Sequence, residues 1–260
     1  MSDASVPPKK QKLTRRELER RRLILRSVGA SLAVLGAGLV GWYPVMREIF
    51  DRLRPPGAIP ETEFLAACIK CGQCVQVCPV AAIKLADGEE GYGLGAPYID
   101  ARTQACDFSC DAVQCVLACP TGALSHEIAK KEEVHIGFAR LARPEACLAV
   151  QGKGFKGLAR GYDFEGLLRY EEIDRWEPQP VASHPYDLPL CDLCVRECPV
   201  LGAITLVPLS ATPGDNRAMP TVHPACVGCG TCEMICPAEP AAIVIDTELA
   251  LARQGKEVRA

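Results

Sequence analysis

Cys68-Ile69-Lys70-Cys71-Gly72-Gln73-Cys74-Val75-Gln76-Val77-Cys78-Pro79 decides how the rest of this 260-residue chain is read. Three cysteines recur at intervals of three residues, and a fourth stands directly before a proline. Loops this short turn three thiolates toward one point, and the proline ends the loop and starts the next element. The spacing is that of a bacterial [4Fe-4S] site, in which the fourth cysteine crosses over to a second cluster.

Working outward, the same ending recurs three times. Cys106-x-x-x-Cys110-x-x-x-x-Cys115-x-x-x-Cys119-Pro120 has wider intervals, whereas Cys226-x-x-Cys229-x-x-Cys232-x-x-x-Cys236-Pro237 has the strict spacing. Cys191-x-x-Cys194-x-x-x-Cys198-Pro199 is one cysteine short. A shift of about 120 residues carries Cys71, Cys74, Cys78 and Cys106 onto Cys191, Cys194, Cys198 and Cys226, so the body is an internal repeat. Cys68 then falls on Leu188, and Cys147 is the one cysteine left over from the sixteen. Assigning it to the short motif gives four ligands for each of four clusters; the alternative is a free buried thiol beside a three-iron cluster.

The crossover rule turns these motifs into sets. The first is Cys68, Cys71, Cys74 and Cys119; the second is Cys106, Cys110, Cys115 and Cys78. The third is Cys147, Cys191, Cys194 and Cys236; the fourth is Cys226, Cys229, Cys232 and Cys198. Spacing leaves a second pairing open, in which the outer motifs pair together and the inner motifs pair together.

Other uses of cysteine fit less well. Zinc ribbons build one tetrahedron from two separated pairs, and disulfide frameworks carry no such triplet spacing. Aromatic residues make up only 5% of the chain, too few for a large conventional core, so bound inorganic groups are expected to organise the body.

The expected fold class is α+β, with two tandem dicluster-ferredoxin-like units behind an N-terminal helix. Short apolar runs after each loop, Val80 to Ile83, Thr121 to Leu124, Leu201 to Ile204 and Ala241 to Val244, read as turns leading into strands. Tyr98-Ile99 and Thr221-Val222 read as partner strands. The chain divides into a basic leader with an apolar helix (1–50), a Pro-rich neck (51–60), a first unit (61–135), a second unit (136–246) and a tail (247–260). Residues 148–190 form an insertion in the second unit, read as a surface excursion with a short helix or as a docking surface. The four histidines, His126, His135, His184 and His223, lie outside the motifs and are assigned packing or surface roles. No nucleotide fingerprint, nucleophile elbow or carboxylate constellation stands out, and no substrate chemistry is expected.

The leader has its own logic. Residues 1–26 hold nine Lys or Arg against Asp3, Glu17 and Glu19, so with an overall charge of −3 the remainder is acidic. That balance argues against nucleic acid as a partner. Residues 27–46, SVGASLAVLGAGLVGWYPVM, carry no charge and would span about 30 Å as a helix, enough to cross a bilayer. Trp42 and Tyr43 suit a membrane interface. Arg21-Arg22-Leu23-Ile24-Leu25-Arg26 is similar to a twin-arginine export signal, with Thr14-Arg15-Arg16 a poorer match. The alternative is a positive-inside anchor, and either reading puts the cysteine-rich body across the membrane from the basic end. Export of a folded protein lets clusters be inserted in a reducing compartment first. No Ala-x-Ala site follows the apolar run, so the helix is expected to stay as an anchor.

The ordered set of Pro55-Pro56-Gly57-Ala58, FLAACIKCGQCVQVCP (64–79), ACPTGAL (118–124), CDLCVRECP (191–199) and PTVHPACVGCGTCEMICP (220–237) resembles the NapG/MauM group of exported ferredoxin-type proteins. The resemblance covers most of residues 20–245. It implies four [4Fe-4S] clusters, a place on the periplasmic side of the inner membrane, and electron flow from a membrane quinol-oxidising iron-sulfur protein to a periplasmic redox enzyme. In the NapG case that enzyme is a nitrate reductase; the MauM case implies a role in assembling methylamine dehydrogenase. A beta-type electron-transfer subunit of a molybdenum enzyme is a further alternative. Two departures from the group stand out: the wider spacing between Cys106 and Cys110, and the long gap from Cys147 to Cys191.

Overall fold

The structure is a computed structural model and describes residues 15–48, 52–87, 93–170 and 172–247. Thr14, with the basic residues before it, and the tail beyond residue 247 lie outside the described residues. The chain divides into two units, Met1–Arg47 and Glu48–Ala260.

The described part of the first unit is a single helix. α1 runs from Arg15 to Glu48, a stretch dominated by Leu, Arg, Ala and other strong helix formers. Its described apolar side chains are exposed, including the consecutive Leu23, Ile24 and Leu25 and, further on, Leu32, Val34, Leu35 and Leu39. A helix apolar all round has no watery side to present. It is also the one described helix long and apolar enough to cross a membrane.

The second unit is built from very short elements, because loops around cysteines occupy most of the chain. Helix α2 (Glu61–Ala67) follows Pro60, places Glu61 and Glu63 in its first turn where the helix dipole favours acids, and buries Phe64 completely. One-turn helices follow in each cysteine loop: α3 (Gln73–Gln76), α4 (Gln114–Leu117), α5 (Leu193–Arg196) and α6 (Thr231–Met234).

The described strands pair as antiparallel two-stranded ribbons. β1 (Ile83–Leu85) pairs with β2 (Pro97–Ile99), and β8 (Ile204–Pro208) pairs with β9 (Ala218–Val222). These are the strands the apolar runs and their partners imply. β3 (Phe138–Leu141) pairs with β10 (Ile243–Asp246), matching Val244 with Arg140. At the place equivalent to Val244, the run ending in Leu124 forms only a single bridge to Ala58 rather than a strand.

Isolated two-stranded ribbons are marginal in water, so packing must hold them. Phe64, Val116, Leu124 and Val134 share one buried cluster with Val200, Ala203 and Val227. The segments before and after residue 136 are therefore joined through a common core.

Residues 148–190 hold two further ribbons in place of the expected helix. β4 (Phe155–Leu158) pairs with β7 (Pro185–Leu188), and β5 (Leu167–Tyr170) pairs with β6 (Asp174–Pro180). Leu168, Tyr170, Val181 and Tyr186 are buried and pack with Ala105, Leu193, Met234 and Ile235. The segment is thus bound into the interior by these side chains, while Tyr162, Ile173 and Trp176 at its tips and Lys156 and Asp187 on its strands face outward.

Candidate iron-sulfur centres

All sixteen cysteines are free thiols, so the sequence does not fold as a disulfide framework. Their positions follow from local backbone conformation. In the first loop Lys70 and Gly72 have φ of 58° and 76°, and in the last Gly228 and Gly230 have φ of 71° and 94°. Left-handed residues alternating with right-handed ones turn successive N–H groups inward, the concave arrangement that receives anionic groups and iron-sulfur sites. The wider second loop uses Phe108, Asp111 and Val113 in the same way, at φ of 56°, 64° and 48°. Phe108 and Val113 are buried, which holds those residues in a conformation that β-branched and bulky side chains otherwise avoid.

The fold gathers these loops into groups of four. Cys68, Cys71, Cys74 and Cys119 line one pocket. Cys147, Cys191, Cys194 and Cys236 line a second, and Cys198, Cys226, Cys229 and Cys232 line a third. In the remaining group, burial raises the Cys115 thiol to about 12, reinforced first by the charges of Cys110 and Cys78. The Cys106 thiol is likewise raised by burial, with Cys115 among the charges that add to it. The three pocket-lining groups match three of the sets that the crossover rule gives, and Cys78, Cys106, Cys110 and Cys115 are the four that remain.

Cys147 and Cys68 are conformational equivalents. Cys68 follows α2 with φ −71° and ψ 111°; Cys147 follows the single turn Pro144–Ala146 with φ −74° and ψ 119°. The segment 148–190 therefore interrupts the chain between what are, in the first loop, Cys68 and Cys71. Its two ends are tied: the Cys191 N–H donates to the Lys153 carbonyl at 3.0 Å, and Phe155 lies opposite Leu188. The chain leaves and returns at nearly the same point, which is why a long gap still delivers both thiols to one cavity.

The donor set fits a group larger than a single ion. Among the described residues, no three Cys, His, Asp or Glu side chains come close enough to hold one metal ion, although four cysteines face each of three cavities. A zinc tetrahedron, with Zn–S near 2.3 Å, would draw four sulfurs much closer together. Burial raises the thiols of Cys74 and Cys191 to about 11 and that of Cys229 to about 12, with neighbouring cysteines adding to each. Such thiols ionise readily only when a cationic group shares their charge.

Backbone N–H groups already point at sulfur. Ala82 N–H donates to Cys78 Sγ at 3.3 Å and Ala242 N–H to Cys236 Sγ at 3.4 Å. At Cys119 burial raises the thiol, but the backbone of Leu124 and Thr121 and the Thr121 hydroxyl outweigh it and hold the pKa below the ordinary value. A residue that spacing alone does not mark is Thr231. Its fully buried hydroxyl lies 3.6 Å from Cys229 Sγ and 3.4 Å from the Cys106 carbonyl. Two histidines engage other residues, His223 bonding Thr205 at 2.7 Å and His184 stacking on Tyr170 at 4.0 Å, while His126 bonds the backbone carbonyl of Cys119 at 2.8 Å.

Comparisons with known proteins agree with this geometry. Residues 67–123 match the 4Fe-4S dicluster domain and residues 223–239 the 4Fe-4S binding domain. The ferredoxin-type protein NapG of Escherichia coli is 37% identical over 247 residues, covering 92% of this chain and 91% of that protein. The methylamine utilization ferredoxin-type protein MauM of Methylorubrum extorquens is 36% identical over 78% of this chain and 77% of its own. MauM of Methylophilus methylotrophus is 34% identical over 93% and 92%. No solved structure gives a significant match. With cysteines grouped for iron-sulfur clusters and relatives of this identity along nearly its whole length, the chain belongs to the NapG/MauM family of ferredoxin-type proteins, iron-sulfur proteins of electron transfer.

Proposed function

We propose that the chain carries four [4Fe-4S] clusters and relays electrons from a membrane iron-sulfur protein that oxidises quinol to a periplasmic oxidoreductase. Sixteen free cysteines, twelve of which line three pockets in sets of four, carry this reading. Cys68, Cys71, Cys74 and Cys119 hold the first cluster; Cys106, Cys110, Cys115 and Cys78 the second. Cys147, Cys191, Cys194 and Cys236 hold the third; Cys226, Cys229, Cys232 and Cys198 the fourth. A bound cubane supplies reversible one-electron chemistry. The chain's own groups set the potential: N–H donors such as Ala82 and Ala242 stabilise the more negative reduced state, and the acidic body opposes it.

The helix Arg15–Glu48 anchors the protein in the inner membrane, after export by the twin-arginine route, with the cysteine-rich unit on the periplasmic side. Similarity to NapG supports a nitrate-reducing acceptor. The nearly equal identity to MauM proteins favours a second reading, a factor that serves assembly of a partner enzyme.

Anaerobic purification with iron and sulfide analysis and EPR of the reduced protein tests the cofactor claim. Four cubanes per chain are expected, and a colourless, iron-poor protein sinks it. Deleting the protein while supplying an artificial electron donor separates the two functions. A relay is bypassed and the partner regains activity; an assembly factor is not.

A further inference from the structure

The first and second groups meet within the part of the chain before residue 136, where Cys74 lies close enough to Cys115 for its charge to bear on that thiol. Cys74, Cys106 and Cys115 also share one buried cluster. The third and fourth groups meet in the later part, where Cys147, Cys232 and Cys236 share another.

Between the two parts one contact stands out. The Cys106 N–H donates to the Cys229 carbonyl at 3.1 Å, and Thr231 returns a hydroxyl bond to the Cys106 carbonyl. Cys229 belongs to the same buried cluster as Cys74, Cys106 and Cys115; none of Cys147, Cys191, Cys194 and Cys236 does. The second group therefore abuts the fourth and not the third.

The contact is clamped from several sides. Ile136 N–H donates to the Val227 carbonyl at 2.9 Å, and Gly228 approaches Gly137 so closely that an added Cβ would lie 2.2 Å from its carbonyl carbon. The inserted segment straps both partners. Gln104 and Leu167 exchange two hydrogen bonds at 2.8 and 2.9 Å, the Arg169 N–H donates to Asp107, and Arg160 donates to the carbonyls of both Arg102 and Met234.

We infer that electrons cross between the two halves at the contact of Cys106 with Cys229, so that the clusters work in the order first, second, fourth, third, an inference that rests on the ligand sets proposed above. Electron tunnelling falls off steeply with distance, so adjacency sets the order. Clusters held by these sets would exchange single electrons with their neighbours, one oxidised as the next is reduced, with no bond made or broken. Cys71 of the first group alone among the sixteen is exposed, so the first group is the end of the series open to a partner, whereas the third, with Cys147, Cys191 and Cys236 buried, is as enclosed as the two inner groups. The segment 148–190 is then a clamp on the crossing point.

The test uses the full-length, cluster-loaded protein, fully reduced and read by pulsed EPR. Cys110→Ser shifts the second cluster's signal so that it can be followed. Adding Cys226→Ser, which alters or removes the fourth cluster, is expected to remove the fourth cluster's share of the spin–spin splitting on that signal, leaving only the share from the first, and to slow its relaxation several-fold. Adding Cys194→Ser, at the third cluster, is expected to leave both unchanged. Splitting that responds to Cys194→Ser and not to Cys226→Ser overturns the order, as does a second cluster with no splitting in a protein whose iron content is complete. Thr231→Val, which keeps every ligand, must retain the splitting and serves where a ligand variant fails to fold. An iron-poor preparation overturns the ligand sets instead, and is told apart by analysis before any EPR.

Discussion

The hydroxyls of Tyr170 and Tyr186 lie 3.3 Å apart inside the inserted segment, and Tyr186 donates to Oε1 of Glu197 at 3.0 Å. Two phenols and a carboxyl from separate elements thus close over one another, with the His184 ring stacked on Tyr170.

Alkaline titration should expose this pair. Burial, reinforced by the charges of Glu197 and Glu172 and opposed by the Tyr186 hydroxyl, pushes Tyr170 up to about 12, and burial drives Tyr186 higher still. A raised folded-state pKa means that the stabilising contribution is complete below about pH 10, the unfolded value, and is lost as pH rises through 12. For Tyr170 the full loss is about 3 kcal/mol. Absorbance at the tyrosinate band is expected to rise for the buried pair only together with unfolding. Ionisation of all tyrosines near pH 10 in the folded protein contradicts it.

Arg54 should be a point of high sensitivity. Its buried guanidinium bonds Glu61 at 2.9 and 2.6 Å and the Pro97 carbonyl at 2.8 Å, and lies over the Phe64 ring. Arg54→Met leaves Glu61 facing an apolar neighbour, at a cost of about 3 kcal/mol. Heating is expected to bleach the variant's cluster absorbance faster than the parent's, and Arg54→Met with Glu61→Gln should recover part of the difference.

Three positions with positive φ separate strain from collision. Gly228→Ala places a methyl on the Gly137 backbone, which cannot move aside, so loss of soluble folded protein is expected. Gly202 has φ of 72° but open space around it, and Gly202→Ala should cost only about 1 kcal/mol. Ala81 already carries φ of 51°, so Ala81→Gly should be neutral or slightly stabilising. Thermal melts of the three variants in parallel check the ranking.

Thr231 should tune one cluster. The hydroxyl gives its one hydrogen to the Cys106 carbonyl and so turns its oxygen toward Cys229 Sγ at 3.6 Å, where it opposes added negative charge; Thr231→Val is expected to raise the fourth cluster's midpoint potential and Thr231→Ser to restore it. Redox titration followed by EPR reads both, and a fall in potential in Thr231→Val overturns this assignment of the hydroxyl.

Much of this was legible in the sequence because cysteine spacing is a local property. The triplets, the Cys-Pro endings and the shift of about 120 residues mark the groups, and β1, β2, β8 and β9 fall where apolar runs place them. Cys147 could be assigned only by elimination; its likeness to Cys68 is one of backbone angles, which spacing does not carry. Residues 148–190 read as a surface excursion because Leu168, Tyr170 and Tyr186 are scattered among polar neighbours, and the Ala105, Met234 and Ile235 they bury against come from distant parts of the chain. The contact of Cys106 with Cys229 is hidden for the same reason, being made by backbone groups that every residue possesses.

The bond between Cys191 and Lys153 has a consequence for how such a chain can change. With both ends of the segment pinned together, its interior contributes no net displacement to the ligand path. Residues can be gained or lost beyond the pin without moving a sulfur, so this is the place where the family's scaffold can acquire a new surface while its wiring stays fixed.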